Sequence, residues 1–334
     1  MIKHSLNFRE AIKHIERELE LVVRIDKLNS KLCKYNWVFV HPYSQGFEIT
    51  FFEKLLENED DNFIEEKIFE RFAKKFLDLK LTITFIEGFY RKRPYLNTFK
   101  TQIEESVILC IQKDFSGAIS LLLPVNEGVL RSYLISKRGE NAKRIIKMSE
   151  LSSKAFMEMS NEYEDKIKTS FSETDNVYFY DKNQQKQVLI KHREYFKLWI
   201  KQLNDYLNNN LYFDTRNSEI LDDPFNRHNM VHAFEKIDYS FKNYLRLFNC
   251  VNYLSWAFGV ISEKCSVFPE IDEKNINEKW VEYFKILIVS ESITETKSKI
   301  HQYEIETFKK YIDEPYLNLL LISETLHKKL LKIK

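Results

Sequence analysis

The chain has 334 residues, 44% of them hydrophobic and 14% aromatic, with 26 Phe and 18 Tyr against 6 Gly and 6 Pro. That length makes one large domain or two ordinary ones, and the scarcity of both helix breakers argues against all-β and α/β folds and for long helices. Lysine and arginine (51) nearly balance aspartate and glutamate (50), so no global charge advertises a nucleic-acid partner and any RNA contact has to be a local patch.

In chain order, Ile12, Ile15, Leu19, Val22 and Ile25 recur at helical spacing and predict a helix over 6–34. Residues 37–47, broken by Pro42 and Gly46, read as an irregular connection. A second helical region covers 49–80, interrupted by the acidic stretch Glu57 to Asp61. The run Leu81-Thr82-Ile83-Thr84-Phe85 has strand-like composition, and its length does not separate a strand from a buried helical turn.

Pro94 suits a helix start, and Phe99, Ile103, Val107, Cys110 and Ile111 form one apolar stripe. Phe115-Ser116-Gly117 reads as a break, followed by a very apolar helix from Ala118 to Leu134 that contains Pro124. The pair predicts a helical hairpin whose second arm is the most buried helix of the protein. A basic, glycine-containing loop follows at Lys137 to Arg144, then a polar helical stretch over 150–172 and a short strand at Asn176 to Tyr180. Residues 183–210 return to helix, with Val188, Ile190, Phe196, Trp199, Ile200 and Leu203 as core positions. Asp223 is then an N-cap and Pro224 a first helical residue, opening a helix that Phe234, Ile237, Phe241, Tyr244, Leu245, Phe248, Val251 and Phe258 continue. Residues 275–334 supply two or three more helices.

Cys33, Cys110, Cys250 and Cys265 lie far apart with no C-x-x-C spacing, which argues for reduced thiols over a zinc site or a disulfide framework. The first residues lead into a charged amphipathic helix, not an apolar signal core, and no apolar run approaches the roughly 20 residues of a membrane span. A soluble, cytoplasmic protein without a cofactor is expected.

The chemistry concentrates in Asn226-Arg227-His228-Asn229-Met230-Val231-His232-Ala233. Arginine holds phosphate through a bidentate fork, histidine moves protons near neutral pH, and a helix start adds N–H donors and a positive dipole end. Spacing alone means little, because Arg9 and His14 show the same gap on what reads as a solvated helix face. The second match differs in following a helix-start signal and in opening an apolar helix able to hold its groups rigidly. His228 and His232, four apart, share a helix face as metal ligands do. No further ligand is evident nearby, and no metal is expected.

This signature resembles the Arg-x4–6-His signature of HEPN domains. The segment from Phe115 to Leu130 is similar to the helix these proteins place before the signature, with an acidic residue, here Glu127, near its middle. The resemblance covers about residues 75–262 and departs in Ala233, where many relatives have glycine. It implies an all-α helical bundle: a HEPN-like domain over 75–262, an N-terminal helical region over 1–74 of unknown role and a C-terminal helical extension over 263–334. It also implies a homodimer in which two signatures meet in one metal-independent RNA-cleaving site, as in bacterial toxins and anti-phage effectors. Helical geometry agrees, since residues five apart point about 140° apart and do not converge from one straight helix.

The expected activity is RNA cleavage by attack of a ribose 2′-OH, giving a 2′,3′-cyclic phosphate. His232 transfers the proton, Arg227 holds the phosphate oxygens, and Asn226 positions the phosphate or orients His232. Glu127 has two readings: it orients Arg227 or His232, or it makes a structural hydrogen bond or lies at the surface. His228, Arg91-Lys92-Arg93 beside Phe89, Tyr90 and Tyr95, and Arg138 and Arg144 are candidate RNA contacts, with solubilising charge as the plainer reading of the basic segments. A catalytically silent HEPN-like scaffold that binds RNA, a nucleotide or a protein is the alternative. An assembly subunit is a third. An antitoxin or a defence-complex protein is the partner expected beside RNA.

Overall fold

The computed structural model describes residues 8–40, 46–172, 181–213, 225–227, 230, 238–262 and 272–307, with side chains in the last segment described to residue 293 and those of 171 and 172 left aside. The fold is all-α. Ten α-helices make up the described residues, with no strand among them. In chain order they are α1 (Phe8–Leu32), α2 (Phe47–Leu55), α3 (Asp61–Leu77), α4 (Leu79–Thr84), α5 (Lys100–Ile111), α6 (Phe115–Arg138), α7 (Met148–Ser172), α8 (Lys182–Tyr206), α9 (Phe241–Ile261) and α10 (Glu273–Thr307). α1 packs on α8, α8 on α7, α7 on α6, and α6 on α5 and α9, while α10 lies against α4 and α5. Their buried side chains, from Val22 to Tyr283, form one apolar cluster.

The strand-like run at 81–85 is helical. α4 passes directly into a π-turn, Phe85–Tyr90. Its two threonines bond backbone carbonyls through their hydroxyls, Thr82 to Phe76 at 2.8 Å and Thr84 to Lys80 at 2.8 Å, and Ile83 between them is buried. The hairpin α5–α6 turns earlier than its composition suggests. Asp114 is the N-cap of α6 and accepts from the Gly117 amide at 2.9 Å, so Phe115-Ser116-Gly117 begins the helix instead of breaking it. A Cβ on Gly117 would lie 2.7 Å from the Asp114 carboxylate, so glycine makes room for its own cap. Pro124 stays inside α6.

α9, not α6, is the most buried helix: 17 of its 21 residues are buried, against 10 of 24 in α6. It is buried on nearly every side because it runs through the middle of the bundle, and its buried polar residues Asn243, Arg246 and Asn249 are hydrogen-bonded there. α6 and the turns after it (115–144) are long and apolar enough to cross a membrane by length and composition, and just over half (56%) of the most apolar 18-residue window in it is buried inside the protein.

The polar stretch at 150–172 is a packed helix, with Leu151, Ala155, Phe156, Met159 and Tyr163 in the core. The basic segment 137–144 is the end of α6 followed by a 3₁₀ turn that starts at Gly139, φ 66°. α8 begins with a capping box of Asp181 and Gln184, and Ile190, read as core, is exposed. The C-terminal region contributes a single 35-residue helix to residue 307. The strand expected at 176–180 and the cap at Asp223-Pro224 lie outside the described residues. Burial pushes the Cys33 and Cys250 thiols up to about 12, which keeps both unreactive at neutral pH.

Candidate functional site

One long helix does not carry the signature through to residue 258. Residues 238–240 are not helical, and Ser240 caps a new helix, α9, by accepting from the Asn243 amide at 3.3 Å. The described residues of the signature, Arg227 and Met230, are helical. The Met230 amide bonds the Asn226 carbonyl at 3.0 Å, and the Tyr239 hydroxyl bonds the Met230 carbonyl at 3.1 Å. Phe225 and Met230, on either side of Arg227, are both buried. Phe225 lies under the guanidinium of Arg246, 5.3 Å from its ring centre, and Arg246 itself is buried in α9.

Between Phe225 and Met230, Arg227 projects outward. Its Nη2 donates to Glu127 Oε2 at 2.9 Å, across a sequence separation of 100 residues. Arg131, one helical turn beyond Glu127, donates from Nη2 to Glu127 Oε1 at 2.9 Å and from Nη1 to the Ile145 carbonyl at 3.0 Å. The carboxylate therefore bridges two arginines, and the cluster keeps one net positive charge. Its members are neither buried nor free in solvent: side-chain exposure is 31% for Arg227, 25% for Arg131 and 23% for Glu127. A half-shielded cation of this kind attracts an anion more strongly than a fully solvated one.

Asn226 faces inward. It is 3% exposed, and its Nδ2 donates to the Phe213 carbonyl at 2.9 Å, so it holds the signature to the end of the preceding chain segment. Tyr212, next to Phe213, is buried, and its hydroxyl makes no hydrogen bond among the described residues. Burial, then the nearby Cys250 thiol and Glu127 carboxylate, raise its pKa far beyond the usual tyrosine value, so it stays protonated. His228 and His232 lie outside the described residues. Arg131 and Tyr212 escape a reading of the sequence for different reasons. The i, i+4 spacing from Glu127 was a usable signal for Arg131, whereas nothing local marks Tyr212.

The predicted RNA contacts separate in the folded chain. Arg91 and Lys92 are exposed, with Arg91 3.4 Å from Glu87. Arg138 is paired with Glu158 at 2.6 Å, and Arg144 is exposed. Arg93 is not a surface residue: it is 2% exposed, with its guanidinium over the Phe89 ring and against the backbone of Gly259. It is withdrawn as an RNA contact. A Cβ at Gly259 would meet the Arg93 guanidinium at 2.6 Å. Gly259→Ala is expected to cost about 1–3 kcal/mol, the usual range for overpacking a filled core, as read from the urea midpoint. An unchanged midpoint would mean that Arg93 moves aside freely. Arg9 and His14, the second Arg-to-His match, are exposed on α1.

Comparison with protein-family models, with curated proteins and with solved structures finds no match to this chain.

Proposed function

We propose that the chain is a metal-independent endoribonuclease of HEPN type, working as a homodimer in the cytoplasm as a toxin or anti-phage effector. The observation that carries this reading is the Arg227–Glu127 ion pair. The two segments singled out for their likeness to the family are far apart in sequence, and their charged residues meet at 2.9 Å. In this reading Arg227 grips the non-bridging phosphate oxygens with the fork that Glu127 aims. His232 takes the 2′-OH proton as the oxygen attacks the adjacent phosphorus, and the 5′-oxygen leaves and takes a proton from water. The products are a 2′,3′-cyclic phosphate and a 5′-hydroxyl.

Incubation with end-labelled RNA in EDTA tests this directly. Cyclic-phosphate ends are expected, and a strand with a single 2′-deoxy substitution at each cut site should resist there. Cleavage that stops in EDTA, or that proceeds equally at deoxy positions, would sink the proposal.

The same ion pair favours a second reading, because Glu127 occupies a face of Arg227 that a phosphate would use. A silent scaffold would bind RNA through the net charge of Arg131, Glu127 and Arg227 and release no product on long incubation. RNA affinity lost on Arg227→Ala, with no cleavage by the parent protein, would select it.

A further inference from the structure

The end of α1 reaches the signature through two buried side chains. α1 runs into a 3₁₀ turn, Cys33–Tyr35, which closes on Asn36 in the left-handed region, φ 59°. The Asn36 amide bonds the Cys33 carbonyl at 3.0 Å, and the Trp37 amide bonds the Leu32 carbonyl at 3.1 Å. These two bonds make a Schellman helix end, with asparagine where glycine is commonest. The carbonyls of Tyr35 and Asn36 are left for partners from elsewhere in the chain.

Both partners also touch Phe225. Tyr206, the last residue of α8, donates its hydroxyl to the Asn36 carbonyl at 2.9 Å, and its ring centre lies 6.5 Å from that of Phe225. Arg246 of α9 donates from Nη2 to the Tyr35 carbonyl at 2.7 Å. Its guanidinium lies 5.5 Å from the ring centre of Trp37 and 5.3 Å from that of Phe225. A cation suits helix-end carbonyls because they carry partial negative charge, and out of water its attraction to aromatic rings strengthens. Asn210, in the π-turn after α8, adds a third tie, from Nδ2 to the Cys33 carbonyl at 2.9 Å and to Asn36 Oδ1 at 2.6 Å. Phe225, fully buried and two residues before Arg227, thus rests on side chains that the end of α1 holds in place.

We propose that Tyr206 and Arg246 are positioning residues for Arg227, and that the helix end at residues 33–37 fixes them both. The N-terminal region then has a role in the site: it sets where the signature begins. Freedom at Phe225 is passed two residues on to the guanidinium fork, and a displacement of about 1 Å at a reacting group costs up to about 10²-fold in rate. The effect on cleavage rests on the ribonuclease reading, whereas the effect on the position of the signature does not.

Hydrogen exchange at the Met230 amide, which bonds the Asn226 carbonyl, tests the proposal in the full chain beside RNA cleavage. Tyr206→Phe keeps the ring beside Phe225 and removes its tie to Asn36. It is expected to speed exchange at Met230 by about tenfold and to lower kcat by about tenfold, with KM within about twofold. Amides of the α5–α6 hairpin should exchange as in the parent. Arg246→Lys, which keeps a cation, should retain more of the protection at Met230 and more of kcat than Arg246→Met. Parent-like exchange at Met230 in Tyr206→Phe, or parent-like kcat in a chain that cleaves RNA, overturns the proposal. So does faster exchange spread evenly over the hairpin and the signature, which marks a purely structural role. Faster exchange confined to the signature in a chain that cleaves no RNA upholds the positioning and removes the ribonuclease reading alone.

Discussion

Arg227→Ala is expected to lower RNA cleavage by about 10²–10³-fold, the effect of removing one oxyanion-stabilising donor, and to leave the melting temperature within a few degrees of the parent. The two halves of that expectation have different causes. Arg227 contributes little to stability because about a third of its side chain (31%) is in water, and ion pairs so exposed are worth about 0–1 kcal/mol. Glu127 also keeps Arg131 as a partner at 2.9 Å when Arg227 is gone, so no buried charge is orphaned. Its contribution to cleavage is large because a phosphorane places charge where the guanidinium fork stands. Glu127→Gln separates aiming from gripping: it frees Arg227 for phosphate and should lower KM, while the less constrained fork lowers kcat. Unchanged cleavage by Arg227→Ala would remove the site assignment altogether. Loss of fold in that variant would mean that the arginine is structural.

Glu87→Ala should destabilise the protein by about 3 kcal/mol, the low end for breaking a buried ion pair. Glu87 is buried in the π-turn after α4. Its Oε1 lies 2.9 Å from the Lys100 ammonium and 3.1 Å from that of Lys279. Oε2 accepts from Asn275 at 3.3 Å. Glu104 shares both lysines and accepts from the Tyr283 hydroxyl at 3.1 Å. These bonds fasten α10 to α4 and α5, so the loss is felt as release of that helix. The low end applies because the lysine side chains keep 24% and 22% of their surface in water.

The same carboxyl carries a pH signature. Burial alone would raise its pKa, but its bonds to Lys100 and Lys279 outweigh that and bring it down from 4.5 to about 2. A folded value below the unfolded one stabilises the protein above about pH 4.5, and that contribution drains away as pH falls toward 2. A shift of this size corresponds to about 3 kcal/mol. Urea denaturation at pH 7, 4 and 3 should show the parent losing stability in that window and Glu87→Gln losing about 2 kcal/mol less by pH 3, the remainder being lost only below that pH. Parallel losses in the two proteins would assign the acid sensitivity to other carboxylates.

Much of the bundle was readable because helical periodicity is local. The stripe Ile15, Val22, Ile25 is the buried face of α1, and Phe196, Trp199, Ile200 and Leu203 are the buried face of α8. The break at 238–240 was hidden because Ile237 and Phe241 keep apolar spacing across it, although Ser240 three residues before Asn243 is a cap signal. The run Arg91-Lys92-Arg93 reads as uniformly solvated, yet its third member is in the core. Only the meeting of Arg93 with Gly259 of α9, far along the chain, makes that space. Burial of an arginine depends on the partner that clears room for it, and nothing near Arg93 in sequence names that partner.

By itself, then, the sequence determined the helical class, most helix spans and the two segments that carry Glu127 and Arg227, because each depends on residues within a few turns of one another. Tertiary structure alone decided that Glu127 receives both Arg227 and Arg131, that Asn226 turns inward to Phe213, and that Tyr206 and Arg246 meet the end of α1. Those outcomes depend on how distant helices pack. The choice of ion-pair partner follows distance in space, over which spacing along the chain has no control.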